Sequence, residues 1–400
     1  MLELRPIRPD EVNAHTDATA RAFYDELHPD ARALWAAECE PERTLDAFED
    51  GEIVATSGLL TRELTVPGGV VPMAGVTSVG VRPDHRRQGL LGRMMRGHLQ
   101  AIHDRGVEAV ATLWASEATI YGRYGLAIGA RCADLTVRSP DARLDADGLP
   151  RPRLALADDS RAQLAAIHDA VRPAWPGMLG RGPTEWNHRL RDLEHEREGR
   201  PRLQAALLDD GYAVYAVRKG KSADDLPDSV VELRELVART PEAHAALWAF
   251  LLGLELTRRV FWEEAPVDEP ILHRLGDPRA ASVKVFDSIW VRLVDVAPAL
   301  GQRTYSAPVD VVLEVADAVL PHNAGRVRLT GDEHGARCAP TGDAADLALD
   351  VRDLGAAYLG GTPLGALASA GRVRELTPGA LASADRAFRA AREPWCPEVF

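Results

Sequence analysis

Cysteine is scarce: Cys39, Cys132, Cys338 and Cys396 are the four in 400 residues, separated by 93, 206 and 58 positions. No pair has redox or zinc spacing, and a disulfide scaffold is excluded. Long apolar runs are missing too. The longest uncharged one, Ala245 to Leu254, is about half of a membrane span. The N-terminal MLELRPIRPDEVNAHTDAT contains no apolar h-region, so neither a signal peptide nor a membrane span is expected, and the chain is expected to be cytoplasmic. Positive charge is in deficit: 47 Lys and Arg face 60 Asp and Glu, a net charge of −13. That argues against nucleic-acid binding, which needs a basic surface, and suits cationic small molecules as well as plain solubility. Lysine is almost absent, with only Lys219, Lys221 and Lys284, as a GC-rich genome would give. Neither a Walker A loop nor a Rossmann G-x-G-x-x-G is present.

What is present is globular, 46% hydrophobic and 27% charged, and too long for one core. Polar stretches at Arg138–Arg153 and Arg218–Ser229, with a change of pattern near Lys284–Ile289, divide the chain into segments 1–137, 153–285 and 288–400. In the first, Asn13–Phe23 has helical spacing. Glu52–Leu60 and Arg62–Pro67 read as strands with a turn between them, and Met73–Val81 as a buried strand. Leu90–Asp104 is a helix, Val107–Leu113 a second apolar strand, Glu117–Tyr124 a short helix and Ala133–Val137 a closing strand. This alternation predicts an α/β layer fold with a central parallel pair. The second segment repeats the rhythm, with a hairpin through Asp209-Asp210-Gly211, but its strand-to-helix joint, ELVARTPEAHAAL, has no basic glycine turn. The third places strands before helices, an α+β pattern.

The chemistry concentrates in VTSVGVRPDHRRQGLLGRMMRGH, Val76–His98. A strand ends at Val81, a turn carries Arg86-Arg87-Gln88-Gly89, and a helix starts at once. A helix N-terminus offers free N–H groups and partial positive charge, Gly89 lets an anion approach the backbone, and Arg86 and Arg87 add charge: a diphosphate cradle. Val79-Gly80-Val81 just before it can offer backbone groups to an extended ligand arm. Downstream, Ser116 to Leu126 contains Tyr121-x-x-x-Gly125.

These motifs resemble the GNAT N-acetyltransferase superfamily, Arg86-x-x-Gly89-x-Leu91 standing for its acetyl-CoA signature. In detail they resemble its Eis branch of aminoglycoside and lysine acetyltransferases. The likeness is carried by HRRQGLL (85–91), ASEATIYGRYG (115–125), Asp25 in AFYDE, ELR (232–234), LEVAD (313–317), ARCAPT (336–341), YLGG (358–361) and the terminal Phe400, over nearly the whole chain. It implies tandem GNAT folds, the second degenerate, then a sterol carrier protein-like α+β domain. It further implies acetyl-CoA as cosubstrate without a metal, an amine-bearing small molecule or lysine as acceptor, and a homohexamer. By position, Val79, Gly80 and Val81 would bind the pantetheine arm, and Arg87, Gln88, Gly89, Leu90, Leu91 and Gly92 the pyrophosphate. Ser116 and Glu117 would border the cosubstrate, Tyr121 would be the general acid and the Phe400 carboxylate the base. Asp25 would supply negative charge to the amine. Where relatives carry an acidic residue before the terminal Phe, this chain has Val399, with Glu398 one step back.

Tyr124 is the second choice for the acid. His85, His98 and His103 lack metal spacing and read as structural or solvated; His334 and Cys338 sit in a polar stretch without a second pair. Trp35 and Trp114 read as core or pocket wall. Two other functions remain open: an acyl-CoA sensor without turnover, and a lipid- or sterol-binding protein using the third segment.

Overall fold

The computed structural model describes residues 2–400. In chain order the first third forms β1 (Glu3–Arg5), α1 (Val12–Ala22), α2 (Pro29–Glu38), β2 (Asp46–Glu49), β3 (Glu52–Val66), β4 (Gly69–Val81), α3 (Leu90–Arg105), β5 (Val110–Trp114), α4 (Ala118–Tyr121), β6 (Ala127–Ile128) and β7 (Arg131–Arg138). The turn expected between Leu60 and Arg62 does not form, and β3 is one strand of 15 residues. Arg62 is a strand residue whose guanidinium pairs with Glu38 on α2 at 3.2 Å and with Glu185 at 3.0 Å. β3 and β4 form a long antiparallel hairpin, and β4 runs parallel to β5 across α3. The helix buries Leu90, Met94, Met95, Leu99 and Ile102 along one face.

Two strands at the segment joints are exchanged relative to expectation. β7, expected to close the first segment, lies in the second sheet between Ala281–Asp287 and Thr257–Pro266. Ile289–Leu293, expected to open the third, lies in the first sheet between β5 and β6. All five of its residues are buried, and only an interior position covered on both faces supplies such burial. The first sheet therefore runs β1-β2-β3-β4-β5-(Ile289–Leu293)-β6.

The second sheet echoes the first: antiparallel strands lead to a parallel pair, Ser229–Ala238 with Thr257–Pro266, joined across the helix Pro241–Leu252. The expected hairpin through Asp209 and Asp210 pairs Leu208 with Gly211. The third unit is a five-stranded sheet with helices at Val351–Ala357, Leu364–Ser369 and Ala380–Phe388. Two GNAT-type α/β layers followed by a smaller α+β unit is the architecture the resemblance implied. The third unit has no core of its own: Leu64, Met73 and Val110 of the first sheet share one apolar cluster with Val311, Leu349, Tyr358 and Phe388.

Candidate active site

The site begins at a bulge. In the β3–β4 ladder Thr56 faces Gly80 and Gly58 faces Thr77, so Ser78 and Val79 together oppose Ser57. Ser78 takes a φ of +55°, and the Thr56 hydroxyl fixes the distortion by donating to the Ser78 carbonyl at 2.8 Å. On its other side β4 pairs with β5 only from Met73 to Gly75. Beyond Gly75 the two strands part, leaving the Val76–Val81 edge without a strand partner among the described residues. Such an edge offers backbone donors and acceptors to an extended amide-bearing ligand. α1 lies across this stretch: a side chain at Gly80 would put its Cβ 2.6 Å from that of Ala22.

The strand leads to the anion cradle. Arg87 and Gly89 both have positive φ, at +63° and +78°. Gly89 is the N-cap of α3 and no side chain caps that end, so its first N–H groups remain available. Arg86, Arg87 and Gln88 are exposed beside it, whereas the Leu90 side chain is core, packed with Ala47 and Val54. The corresponding helix of the second unit is closed: Thr240 accepts the Ala243 N–H at 3.2 Å. A side-chain cap occupies there what is left open at Gly89.

A cavity of about 460 Å³ opens where β4 and β5 part. It gathers Asp25, Val79, Ser116, Tyr121 and Phe400, five of the residues singled out in the sequence. Gly80, Val81, the Arg87–Gly92 turn and Glu117 are not among its lining residues. Tyr121 is 3% exposed. Burial pushes its phenol above the ordinary 10, the nearby Ser116 hydroxyl pulls it down, and Glu117 and Tyr124 add to the rise. It is therefore a protonated donor at neutral pH. Tyr124 does not line the cavity; its hydroxyl lies against the first turn of α3, 3.2 Å from where a Cβ on Gly92 would stand. Gly125, which ends the motif, has a φ of +81°, and a Cβ there would fall 2.5 Å from an Arg292 nitrogen.

Phe400 reaches this cavity along a strap that crosses both large units. Trp395 is buried in the second unit's core, its N–H bonded to the Pro176 carbonyl at 2.9 Å and its indole to the Glu264 carbonyl at 2.7 Å. The Ser288 hydroxyl donates to the Cys396 carbonyl at 3.0 Å, Arg189 to that of Pro397 at 3.0 Å, and the Trp114 indole to that of Glu398 at 2.6 Å. The Glu398 carboxylate points away from the cavity and takes the Arg181 Nε–H at 2.6 Å. Arg181 also pairs with buried Glu235. Burial alone would raise Glu235, but Arg181 and Arg189 hold it well below the usual carboxylate range. The Phe400 ring lies against β4: a Cβ on Gly75 would be 3.0 Å from its Cε2.

Sequence reasoning missed part of the lining. His15, Thr16 and Thr19 come from α1, Glu38 and Cys39 from the end of α2, and Thr77 from β4. Only the helical spacing of Asn13–Phe23 gave a signal. Trp35 and Trp114, read as core or pocket wall, are both walls. His103, read as structural or solvated without metal spacing, donates from Nδ1 to Asp295 Oδ1 at 2.7 Å, and His322 reaches the same oxygen at 3.0 Å. His322 Nε2 also lies 3.0 Å from the Val294 carbonyl, so it carries a proton and the trio is a hydrogen-bonded joint between units. Cys338 lies on a strand, Gly335–Pro340, rather than in a loop.

Comparison with known proteins gives three family matches: an acetyltransferase (GNAT) domain at residues 3–129, a second at 177–293, and a sterol carrier protein domain at 296–397. An uncharacterized N-acetyltransferase of Streptomyces avermitilis is 43% identical over 100% of this chain and 99% of its own. The N-acetyltransferase Eis of Mycobacterium tuberculosis is 35% identical, covering 92% of each chain. The crystal structure of Eis1 from Mycobacterium abscessus superposes over the full length of both chains with a TM-score of 0.87 at 34% identity.

Proposed function

This chain belongs to the Eis family of GNAT N-acetyltransferases, and from that premise we propose that it moves the acetyl group of acetyl-CoA to a primary amine held between β4 and the C-terminal strap. The observation that carries the reading is the meeting of Tyr121 and Phe400, 279 residues apart in sequence, on one cavity at the point where β4 loses its partner. The free β4 edge suits the amide-bearing arm of the cosubstrate, and the uncapped end of α3 beside Arg86 and Arg87 suits its pyrophosphate. Ser116 and Glu117 border it. No metal takes part.

The transfer is a direct displacement. The amine nitrogen bonds to the thioester carbon, the tetrahedral adduct forms, and the C–S bond breaks as Tyr121 protonates the departing thiolate. The terminal carboxylate of Phe400 draws in the ammonium form and serves as base for it, through water. Direct abstraction is too costly for it: an ordinary α-carboxylate near 3.5 and an alkylammonium near 10 leave roughly 9 kcal/mol uphill. Asp25, Glu38 and Glu40 add acidic groups to the lining, so the acceptor class is cationic: an aminoglycoside, a lysine side chain or a polyamine. Val399 contributes no charge there, and Glu398 is engaged by Arg181.

The family likeness extends the proposal to a homohexamer at work in the cytoplasm; no helix among the described residues is long and apolar enough to cross a membrane. The deciding measurement is release of CoA thiol across a panel of amines, using protein with its native C-terminus, an N-terminal tag, or a long C-terminal extension. Transfer should survive the N-terminal tag and collapse with the extension, while acetyl-CoA affinity is kept in both. Full activity with the extension would remove Phe400 from the mechanism.

A further inference from the structure

The Phe400 carboxylate, through water, accounts for the first proton of the ammonium; the second, which the nitrogen sheds as it bonds to the thioester carbon, still needs an acceptor, and the opposite wall of the cavity holds one. His15 lines the cavity from α1, with its side chain 4% exposed. Its Nδ1 lies 2.8 Å from Oδ2 of Asp46, which is fully enclosed. The other Asp46 oxygen accepts the Ser57 N–H at 3.1 Å. A carboxylate can only accept, so Nδ1 carries the proton and the lone pair of the neutral ring stands on Nε2. Nε2 has no protein partner among the described residues. Unlike Nε2 of His168, which is sealed and unpaired, it is not closed off, and the space it meets is the cavity.

The position fits the reaction. Ser57, which anchors Asp46, is the residue opposite the Ser78–Val79 bulge. Thr19, one helical turn after His15 on the same face of α1, donates to Thr56 at 3.1 Å, and Thr56 donates to the bulge carbonyl of Ser78 at 2.8 Å. His15 thus stands one turn from the segment that would hold the acetyl end of the cosubstrate.

We propose that His15, oriented by Asp46, accepts the proton that the acceptor amine releases as it attacks the thioester. The proposal rests on the transfer reading above. The nitrogen pair forms the C–N bond and the carbonyl pair moves onto oxygen. The N–H proton passes to Nε2, and the adduct expels the thiolate, which takes a proton from Tyr121. The imidazolium and the phenolate return to rest by exchanging a proton through water, so the attack moves one proton from the neutral amine to the thiol. The ammonium's first proton leaves before this, through water to the Phe400 carboxylate; His15 receives the second.

The surroundings leave this pair to itself. On β1, Arg5 is engaged by Glu11 at 2.8 Å, and Arg43, ahead of β2, by Glu108 at 2.9 Å. On α3, His98 reaches the Ser57 hydroxyl at 2.9 Å, and burial holds it neutral with a pKa of about 4. Beside α2, burial pushes the Cys39 thiol up to about 11, so it too stays uncharged. Glu38, Glu40, Asp25 and the terminal carboxylate of Phe400 are the acidic groups on the lining of the same cavity.

The test is His15→Gln in the full-length chain, with CoA release measured against pH and acetyl-CoA affinity by calorimetry. The expected result is a 10²–10³-fold lower kcat with unchanged acetyl-CoA affinity. Asp46→Asn should weaken turnover in the same direction, because the ring loses the partner that fixes its tautomer. A folded His15→Gln protein with wild-type turnover overturns the proposal. Should neither variant fold, imidazole ¹⁵N spectra of the wild-type chain decide: a bare Nε2 supports the assignment and a protonated one at neutral pH overturns it. Absence of CoA release from the wild-type chain with every amine would instead strike the transfer reading itself, and His15 with it.

Discussion

Replacing Gly75 with Ala tests the placement of the chain terminus without touching the terminus. Gly75 is a strand residue, paired with Leu60 on one side and Thr112 on the other. Alanine suits that backbone, and the added methyl meets one obstacle. Its Cβ would stand 3.0 Å from Cε2 and 3.2 Å from Cδ2 of Phe400, with the Leu60 Cβ next at 3.5 Å. Ordinary carbon contacts are 3.5–4.0 Å, so the ring must retreat by about half an ångström or more. β4 cannot give way, being laddered on both sides at this point, whereas the strap beyond Glu398 is free to move: Val399 is 55% exposed. The overpacking, typically 1–3 kcal/mol when a core cannot yield, is therefore relieved by shifting Phe400 and its carboxylate. Displacements of about 1 Å at a catalytic group cost up to 10²-fold in rate. The expected outcome is a 10- to 100-fold fall in CoA release with amine, unchanged acetyl-CoA affinity by calorimetry, and a melting temperature within a few degrees of wild type. A folded Gly75→Ala protein with full turnover would show that the position of Phe400 does not matter to transfer.

Arg87→Glu should weaken acetyl-CoA binding by about 2–4 kcal/mol, since a charge-assisted contact becomes a repulsion. Gly89→Val should do similar harm at a φ of +78°; calorimetry showing unchanged affinity in both removes the cradle. Tyr121→Phe should lower kcat roughly 10²–10⁴-fold at constant acetyl-CoA KM, and a larger effect from Tyr124→Phe would reassign the acid. Burial, aided by nearby Arg43, holds His98 near 4, and burial with Arg181 holds His168 near 3. The unfolded chain binds these protons from about 6.5 downward, so the stability they leave is present above that pH and lost as pH falls towards 4 and 3. Burial raises Glu264 to about 7. Its sign is opposite: the stability it leaves is present below about 4.5 and lost as pH rises through 7. Glu264→Gln should therefore raise the melting temperature at pH 8 more than at pH 5, by the equivalent of about 1–3 kcal/mol. Equal shifts at both pH values would contradict the assignment.

The cradle was legible because its chemistry is local. A strand end, two arginines, a glycine and a helix start lie within a dozen residues, and each acts on its neighbour. The same holds for Tyr121 and the glycine that lets its helix end. Phe400 could be reached only through the family likeness, because nothing in PWCPEVF says where a strap of that length will lie. His15 was invisible for a related reason. A histidine at a helical position carries no signal until β2 brings Asp46 against it, and β2 is a strand of only four residues. The exchanged strands failed differently: ADLTV (133–137) and IWVRL (289–293) read equally well as the last strand of one unit or the first of another. Which sheet an all-buried strand joins is settled by the cover each sheet can give it, and sequence order does not record that.

The exchange and the strap explain why a transferase with one cosubstrate cradle is built from three units. Ile289–Leu293 completes the first sheet between β5 and β6, and β7 lies inside the second, so each large unit is finished by a piece of chain from across a joint. The third unit shares its apolar core with the first sheet and ends in the strap. Cutting the chain near 137 would strip β5 of the strand that covers its free edge and expose Leu64, Met73 and Val110, which the third unit now buries. The carboxylate proposed as base thus belongs to the part of the chain that also closes the core. A terminus serves this purpose well, because a backbone carboxylate needs no side chain to carry it into a narrow cavity. The fold meets the remaining cost, fixing the last residues in place, by bonding the backbone at Trp395, Cys396, Pro397 and Glu398 to Pro176, Ser288, Arg189 and Trp114. From Trp395 onward, Val399 and Phe400 are the two residues without a backbone hydrogen bond among the described residues, and they are the two that line the cavity.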